Sequence, residues 1–204
     1  MTDHTDVLLF DVGGILIRMS GIDAWKALTG DTDDAEIWRK WLTCPVVQAF
    51  ERGHSDIDTF AAHMIDAHNL PIDAPEFVEA FSSWPGGLLE GAHELVTDVV
   101  HEVRVGCFSN TNEVHWNHPC NQTVHQMFDL HFLSFEMGHV KPDVSAFEFV
   151  TNQLGCDPER IFFVDDNILN IDAARACGFN AHLVKGPAQT RSVLSSHGLI
   201  KDVG

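Results

Sequence analysis

Four short polar segments, three at the ends of apolar runs and one immediately before a helix, carry residue types that would suit phosphoryl transfer. Asp11 closes the run Val7-Leu8-Leu9-Phe10 and is followed by Gly13 and Gly14. A carboxylate there is placed as a nucleophile, and the glycines let the backbone approach a ligand closely. Ser109-Asn110-Thr111-Asn112 follows the run Val103 to Phe108 and offers a hydroxyl and backbone N–H groups to a phosphoryl oxygen. Lys141, just before Pro142, supplies a cation for an anionic ligand. Asp165-Asp166 ends the run Ile161 to Val164, with Asn170 one helical turn further on. Adjacent carboxylates repel unless a cation relieves them, and their hard oxygens suit magnesium.

Taken singly, each segment has a structural explanation. Asp after a strand forms turns, Ser-Asn-Thr-Asn makes a polar loop, Lys-Pro enters helices and Asp-Asp-Asn caps them. Their order and placement argue otherwise, because all four fall at the same predicted edge of one sheet and together supply nucleophile, phosphate donor, cation and metal ligands.

The elements that must position them are readable from pattern. Buried strands are predicted at Val7 to Phe10, Val103 to Phe108, Leu130 to Leu133, Ile161 to Val164 and Ala181 to Val184. Helical periods lie between them: Leu88, Ala92, Leu95 or Val96, Val99 and Val103, then Val144, Phe147, Val150 and Leu154. Pro142 and Gly155 punctuate the second of these, and Gly178 stops a helix from Ile168 to Cys177. This alternation predicts an α/β fold, a parallel sheet covered on both faces with ligands at the carboxyl ends of its strands.

Residues 19–87 contain no convincing strand and read as a helical insertion, leaving 1–18 and 88–204 as the core. Ile37, Trp38, Trp41 and Leu42 mark one helix of the insertion. Ser55 with Asp58 resembles a capping box opening a second, which carries Phe60, Met64 and Ala67, and Pro75 begins a third with Phe77, Val78 and Phe81. Trp84-Pro85-Gly86-Gly87 reads as a breaker that returns the chain to the core.

Thirty acidic against twelve basic side chains give a net charge of −18 over 204 residues. Nucleic acid and anionic membrane surfaces are therefore poor partners, and a small-molecule phosphate ester fits better. No segment approaches a membrane span and MTDHTD lacks a signal peptide's basic start, so a cytoplasmic protein is expected. The five cysteines are scattered and never spaced Cys-x-x-Cys, which argues for free thiols.

The whole pattern resembles the haloacid dehalogenase superfamily, whose four ordered motifs match Asp11, Ser109, Lys141 and Asp165-Asp166. Within it, Phe-Asp-Val-Gly-Gly, Ser-Asn-Thr-Asn followed by His115, Lys-Pro-Asp and Phe-Val-Asp-Asp-Asn are similar to the small-capped branch that includes α-D-glucose-1-phosphate phosphatases. The resemblance implies a Rossmann-like three-layer α/β/α core with an inserted helical cap, and a Mg²⁺-dependent phosphatase. It implies that Asp11 forms an aspartyl-phosphate, and that Asp11, the carbonyl of Gly13 and Asp166 bind Mg²⁺, with Asp165 acting through a coordinated water. Ser109 and the N–H of Asn110 would hold phosphoryl oxygens, Lys141 would hold Asp11 and the phosphate in register, and Asn170 would steady the loop.

Gly13 departs from the superfamily, most of whose phosphatases place a second Asp there as general acid and base. Losing such a group removes about 10²–10⁴-fold in rate, less when the leaving group is weakly basic, as an anomeric hydroxyl is. A sugar phosphate is therefore the expected substrate. A dehalogenase needs no second Asp but has no use for an acidic pair; a weakly catalytic protein binding phosphorylated ligands or a partner protein is the other alternative. His115 is a candidate substrate contact or substitute acid–base group. His115, His118, Cys120 and His125 crowd one segment without the spacing of a zinc site. Trp25, Trp38 and Trp41 read as packing residues, and the direction of Glu51-Arg52-Gly53 is open.

Overall fold

The computed structural model describes residues 4–201. Five parallel strands form the central sheet: β1 (Val7–Phe10), β4 (Arg104–Ser109), β5 (Leu130–Leu133), β6 (Ile161–Asp165) and β7 (Asn180–Leu183). Their spatial order is β5-β4-β1-β6-β7. All five lie where the apolar runs predict them, within a residue or two at each end.

Both faces of the sheet are buried, which is why its strands read as continuous apolar runs. Leu8, Phe10, Phe162 and Val164 point into one layer, and Val7, Leu9, Ile161 and Phe163 into the other. Helices α6 (Ala92–Thr97) and α12 (Gly186–Ser196) cover the first layer, while α10 (Val144–Leu154) and α11 (Ile168–Ala176) cover the second. Short helices α7 (Glu113–Trp116), α8 (Gln122–Met127) and α9 (Ser134–Met137) complete the loops around β5.

The order places β1 between β4 and β6, so the chain reverses its direction of travel across the sheet at β1. A ligand crevice forms at such a switch point, outside the carboxyl ends of the strands. Asp11, Ser109 and Asp165 are the residues at those three ends.

Five helices follow β1: α1 (Gly21–Thr29), α2 (Asp34–Thr43), α3 (Pro45–Glu51), α4 (Ile57–His68) and α5 (Ala74–Ser82). They bury an aromatic cluster of their own, in which Phe60 stacks on Phe50 at 4.4 Å and touches Phe77 and Phe81. Helix α4 is capped by Asp56, not Ser55: its carboxylate accepts from the Thr59 N–H. The capping box belongs to α5, between Asp73 and Glu76.

Two expectations fail at the edges of this insertion. Trp84-Pro85-Gly86-Gly87 is no simple breaker: Pro85–Leu88 forms β3, antiparallel to β2 (Ile17–Met19). Proline is tolerated because it opens the strand, and the glycines have no side chain to pack. The helical period from Leu88 to Val103 also overreaches, since the helix occupies only Ala92–Thr97 and Val99 instead bridges to Ile200.

Candidate active site

The nucleophile candidate and its cation meet at the floor of the crevice. Asp11 leaves β1 with its N–H donating to the Val164 carbonyl at 2.8 Å, which seats the residue between β1 and β6. Lys141 reaches across from the loop before α10 and is almost fully buried. Its Nζ donates to Asp11 Oδ1 at 2.8 Å, Asp165 Oδ2 at 2.7 Å and the Phe108 carbonyl at 2.7 Å. An ammonium has three donors, so the protein itself takes all of them. Lys141 therefore holds Asp11 as expected, but in this geometry no donor is left over for a phosphate.

Asp165 is held on both of its oxygens. It is fully buried, Oδ1 accepts from the Asn167 N–H at 2.8 Å, and Oδ2 accepts from Lys141 and from Asn170 Nδ2 at 3.0 Å. Asp166 is the most open of the three carboxylates, and an oxygen from each of Asp11, Asp165 and Asp166 lies within 4.8 Å of the others. Gly14 makes room for this cage. Its φ is +72°, and a Cβ there would run into the Asp166 carboxylate.

The electrostatics follow from burying three acids beside one base. Burial pushes the Asp11 carboxyl up to about 7; Lys141 opposes this, while Asp165 and Asp166 add to it. Asp166 is likewise raised, by burial first and then by Asp165. Burial also works against the Lys141 charge, but Asp11 and Asp165 outweigh it and hold the ammonium above its usual range. The floor thus carries an excess of negative charge that a cation would relieve.

The second segment is locked to the third. Asn110 Nδ2 donates to the Lys141 carbonyl at 2.7 Å and its Oδ1 accepts from the Lys141 N–H at 2.8 Å. The Asn110 side chain is thereby committed, whereas Ser109, buried at the end of β4, lines the crevice.

His115 does not meet the acid–base expectation. It is buried, Nε2 donates to the Phe81 carbonyl at 2.8 Å, and Nδ1 accepts from Asn112 Nδ2 at 3.2 Å. Burial lowers its pKa to about 4. Both nitrogens being engaged, the ring ties α7 to the end of α5 and stacks on Phe81 at 4.1 Å. Its neighbours are also engaged locally: His118 Nδ1 lies 2.9 Å from Cys120 Sγ, and His125 Nε2 donates to the Trp116 carbonyl at 2.7 Å.

Above the floor, the helical insertion supplies the rest of a crevice of about 520 Å³. The three tryptophans of α1 and α2 divide here. Trp25 is buried in the aromatic cluster, but Trp41 faces the crevice and Trp38 lines it with 47% of its surface exposed. Packing is thus the wrong reading for Trp38. Glu51 also lines the crevice, while Arg52 turns away to pair with Asp143 Oδ2 at 2.6 Å. A signal for Glu51 was present in the sequence: an acid at the end of a helix opposes the macrodipole, a placement that structure alone does not reward.

Residues 5–178 match the family model of haloacid dehalogenase-like hydrolases. The chain belongs to that family. Among its relatives, a D-ribitol-5-phosphate phosphatase of Bacteroides thetaiotaomicron is 22% identical over 197 residues, covering 92% of this chain and 96% of that protein. The sesquiterpene phosphatase astK of Aspergillus oryzae is 27% identical over 179 residues, covering 83% and 85%. A haloacid dehalogenase-family enzyme of B. thetaiotaomicron, solved in complex with magnesium and inorganic phosphate, superposes with a TM-score of 0.72 at 25% identity, over 89% of this chain and 94% of that one.

Proposed function

We propose that this hydrolase is a magnesium-dependent phosphatase acting on a small phosphorylated metabolite, a sugar phosphate, through an aspartyl-phosphate on Asp11. The observation that carries the reading is the convergence of Asp11, Asp165 and Asp166, with oxygens within 4.8 Å of one another, beside the buried Lys141 ammonium.

The donor set fits a hard divalent cation, being carboxylate oxygens at Asp11 and Asp166 whose pKa is raised by burial first and then by their mutual repulsion. Asp11, Asp166 and the Gly13 carbonyl would hold Mg²⁺ directly. Asp165, whose oxygens already accept from Lys141, Asn167 and Asn170, would act through a coordinated water. Bound there, Mg²⁺ supplies positive charge against the transferring phosphoryl group.

The chain's own residues divide the remaining work. An Asp11 oxygen attacks phosphorus as the bond to the leaving oxygen breaks, and the leaving oxygen takes its proton from solvent water in the crevice. Water then attacks the same phosphorus, gives up a proton, and phosphate leaves Asp11 free. Ser109 Oγ and the Asn110 N–H hold phosphoryl oxygens, and Lys141 keeps Asp11 oriented. Gly13 offers no proton to the leaving oxygen, so a weakly basic leaving group such as an anomeric hydroxyl suits the site. The two phosphatase relatives support a phosphate monoester, and the acidic cage counts against a dehalogenase, which has no need of it.

The test is phosphate release from a panel of sugar phosphates and an aryl phosphate, with Mg²⁺ and with EDTA. Turnover that needs Mg²⁺ and disappears in Asp11→Asn is expected. Release from no ester would overturn the reading.

A further inference from the structure

We propose that Glu51 is the residue by which the helical insertion recognises a hydroxyl of the leaving alcohol, making the substrate a hydroxylated phosphate ester and not a plain aryl or hydrocarbon one. The inference rests on the phosphatase reading above and concerns the opposite end of the same crevice.

Phosphate chemistry is confined to the floor, where Asp11, Ser109 and Asp166 lie, so the alcohol portion of any ester must point toward the insertion. There the wall is apolar: Met19, Ile22, Trp38, Trp41 and Leu42. Glu51 is the one titratable side chain that the helices of the insertion place on it, with Arg18 of β2 at the edge of the same crevice. An apolar wall with few polar groups is the form of a site that fixes the orientation of a small ligand. The exposed Trp38 and the neighbouring Trp41 offer an aromatic surface to the C–H side of a polyol or ring while Glu51 takes one hydroxyl.

The described residues do little to account for Glu51. It ends α3, at the negative pole of the helix, where a carboxylate is unfavourable. Arg52, the adjacent cation, is engaged by Asp143 Oδ2 at 2.6 Å and Gln48 Oε1 at 3.3 Å. One contact remains: Trp41 Nε1 donates to Glu51 Oε1 at a long 3.4 Å, and Oε2 has no partner among the described residues. Burial raises the carboxyl to about 7, with Trp41 and Arg52 pulling weakly the other way. Near neutrality the group exists both as acid and as carboxylate, so it can donate to a hydroxyl or accept from one.

The experiment compares full-length wild type, Glu51→Leu and Glu51→Gln, with Mg²⁺, on ribitol 5-phosphate and glucose 1-phosphate against phenyl phosphate. The readout is the ratio of kcat/KM for the better hydroxylated ester to that for phenyl phosphate. Glu51→Leu is expected to lower this ratio by about tenfold or more, mainly through KM, while Glu51→Gln, which still hydrogen-bonds, stays within about threefold of wild type. Should Glu51→Leu fail to fold, Glu51→Ser, too short to reach the ligand, is judged by the same ratio. An unchanged ratio, or equal losses on both ester classes with a lowered melting temperature, would overturn the proposal. Wild type that hydrolyses phenyl phosphate alone overturns it too but leaves the phosphatase standing; wild type inactive on every ester overturns both.

Discussion

The Lys141 ammonium donates to Asp11 Oδ1 at 2.8 Å, so one oxygen of the nucleophile candidate is spoken for within the protein and the other is left to the crevice. The same nitrogen also joins Asp11 to Asp165. Replacing it leaves two buried carboxylates facing each other.

Lys141→Met is therefore expected to lose both turnover and stability. Removing one partner of a buried ion pair costs about 3–5 kcal/mol, and two acids depend on this one. Urea denaturation measures the stability loss and phosphate release the activity. Lys141→Arg is expected not to rescue either, because a planar guanidinium cannot replace three convergent bonds from one point.

Asp11 contributes to the pH dependence of the metal-free protein with a definite sign. The Asp11 carboxyl stands at about 7 in the folded chain against 3.8 in a free one, so between those values the folded state binds more protons. Its contribution to stability is greatest below about 4 and falls as pH rises toward 7. In EDTA, the melting temperature of Asp11→Asn should decline less than that of wild type from pH 5 to pH 7.5. Adding Mg²⁺ should stabilise wild type more than the variant.

Gly13 can be given the missing carboxylate. A Cβ there would lie 3.3 Å from Met19 Cγ, and Met19 is 39% exposed and flexible enough to yield. In the background of Met19→Ala, Gly13→Asp is expected to speed hydrolysis of alkyl phosphates by up to about 10²-fold and aryl phosphates much less. Initial rates on glycerol phosphate and phenyl phosphate decide it; equal effects on both would show that the new group is not transferring a proton.

His115→Phe should keep the stacking on Phe81 and lose both hydrogen bonds. The Phe81 carbonyl keeps the Trp84 N–H at 3.1 Å, but the buried Asn112 amide loses its acceptor, at a cost of about 1–3 kcal/mol, read from urea denaturation. Because the folded ring titrates near 4 and a free one near 6.5, its contribution to wild-type stability is present above 6.5 and lost as pH falls toward 4. The variant should lack that portion of the acid sensitivity.

The floor of the site was legible in the sequence because it depends on local facts. A strand buried on both faces shows as an unbroken apolar run, and the residue after it must lie at the sheet edge, which locates Asp11, Ser109 and Asp165 without knowing their neighbours. The walls depend on tertiary direction. Helical spacing groups Trp38 with Trp41 but cannot say that one lies open in the crevice and the other half covered. His115 looks free until the Phe81 carbonyl and Asn112 are seen on either side of it. Asp56 and Ser55 are both able to cap α4, and only the backbone conformation separates them.

The ribbon of β2 and β3 sets the ends of the insertion side by side, with Ile17 opposite Leu88 and Met19 opposite Pro85. A segment that leaves and rejoins the sheet at one point can be lengthened, shortened or exchanged without disturbing the strands that carry Asp11, Ser109 and Asp165. Descent can then change which molecule is accepted while the bond-breaking apparatus is inherited intact. Grafting the insertion of a relative at this ribbon is the corresponding route in the laboratory.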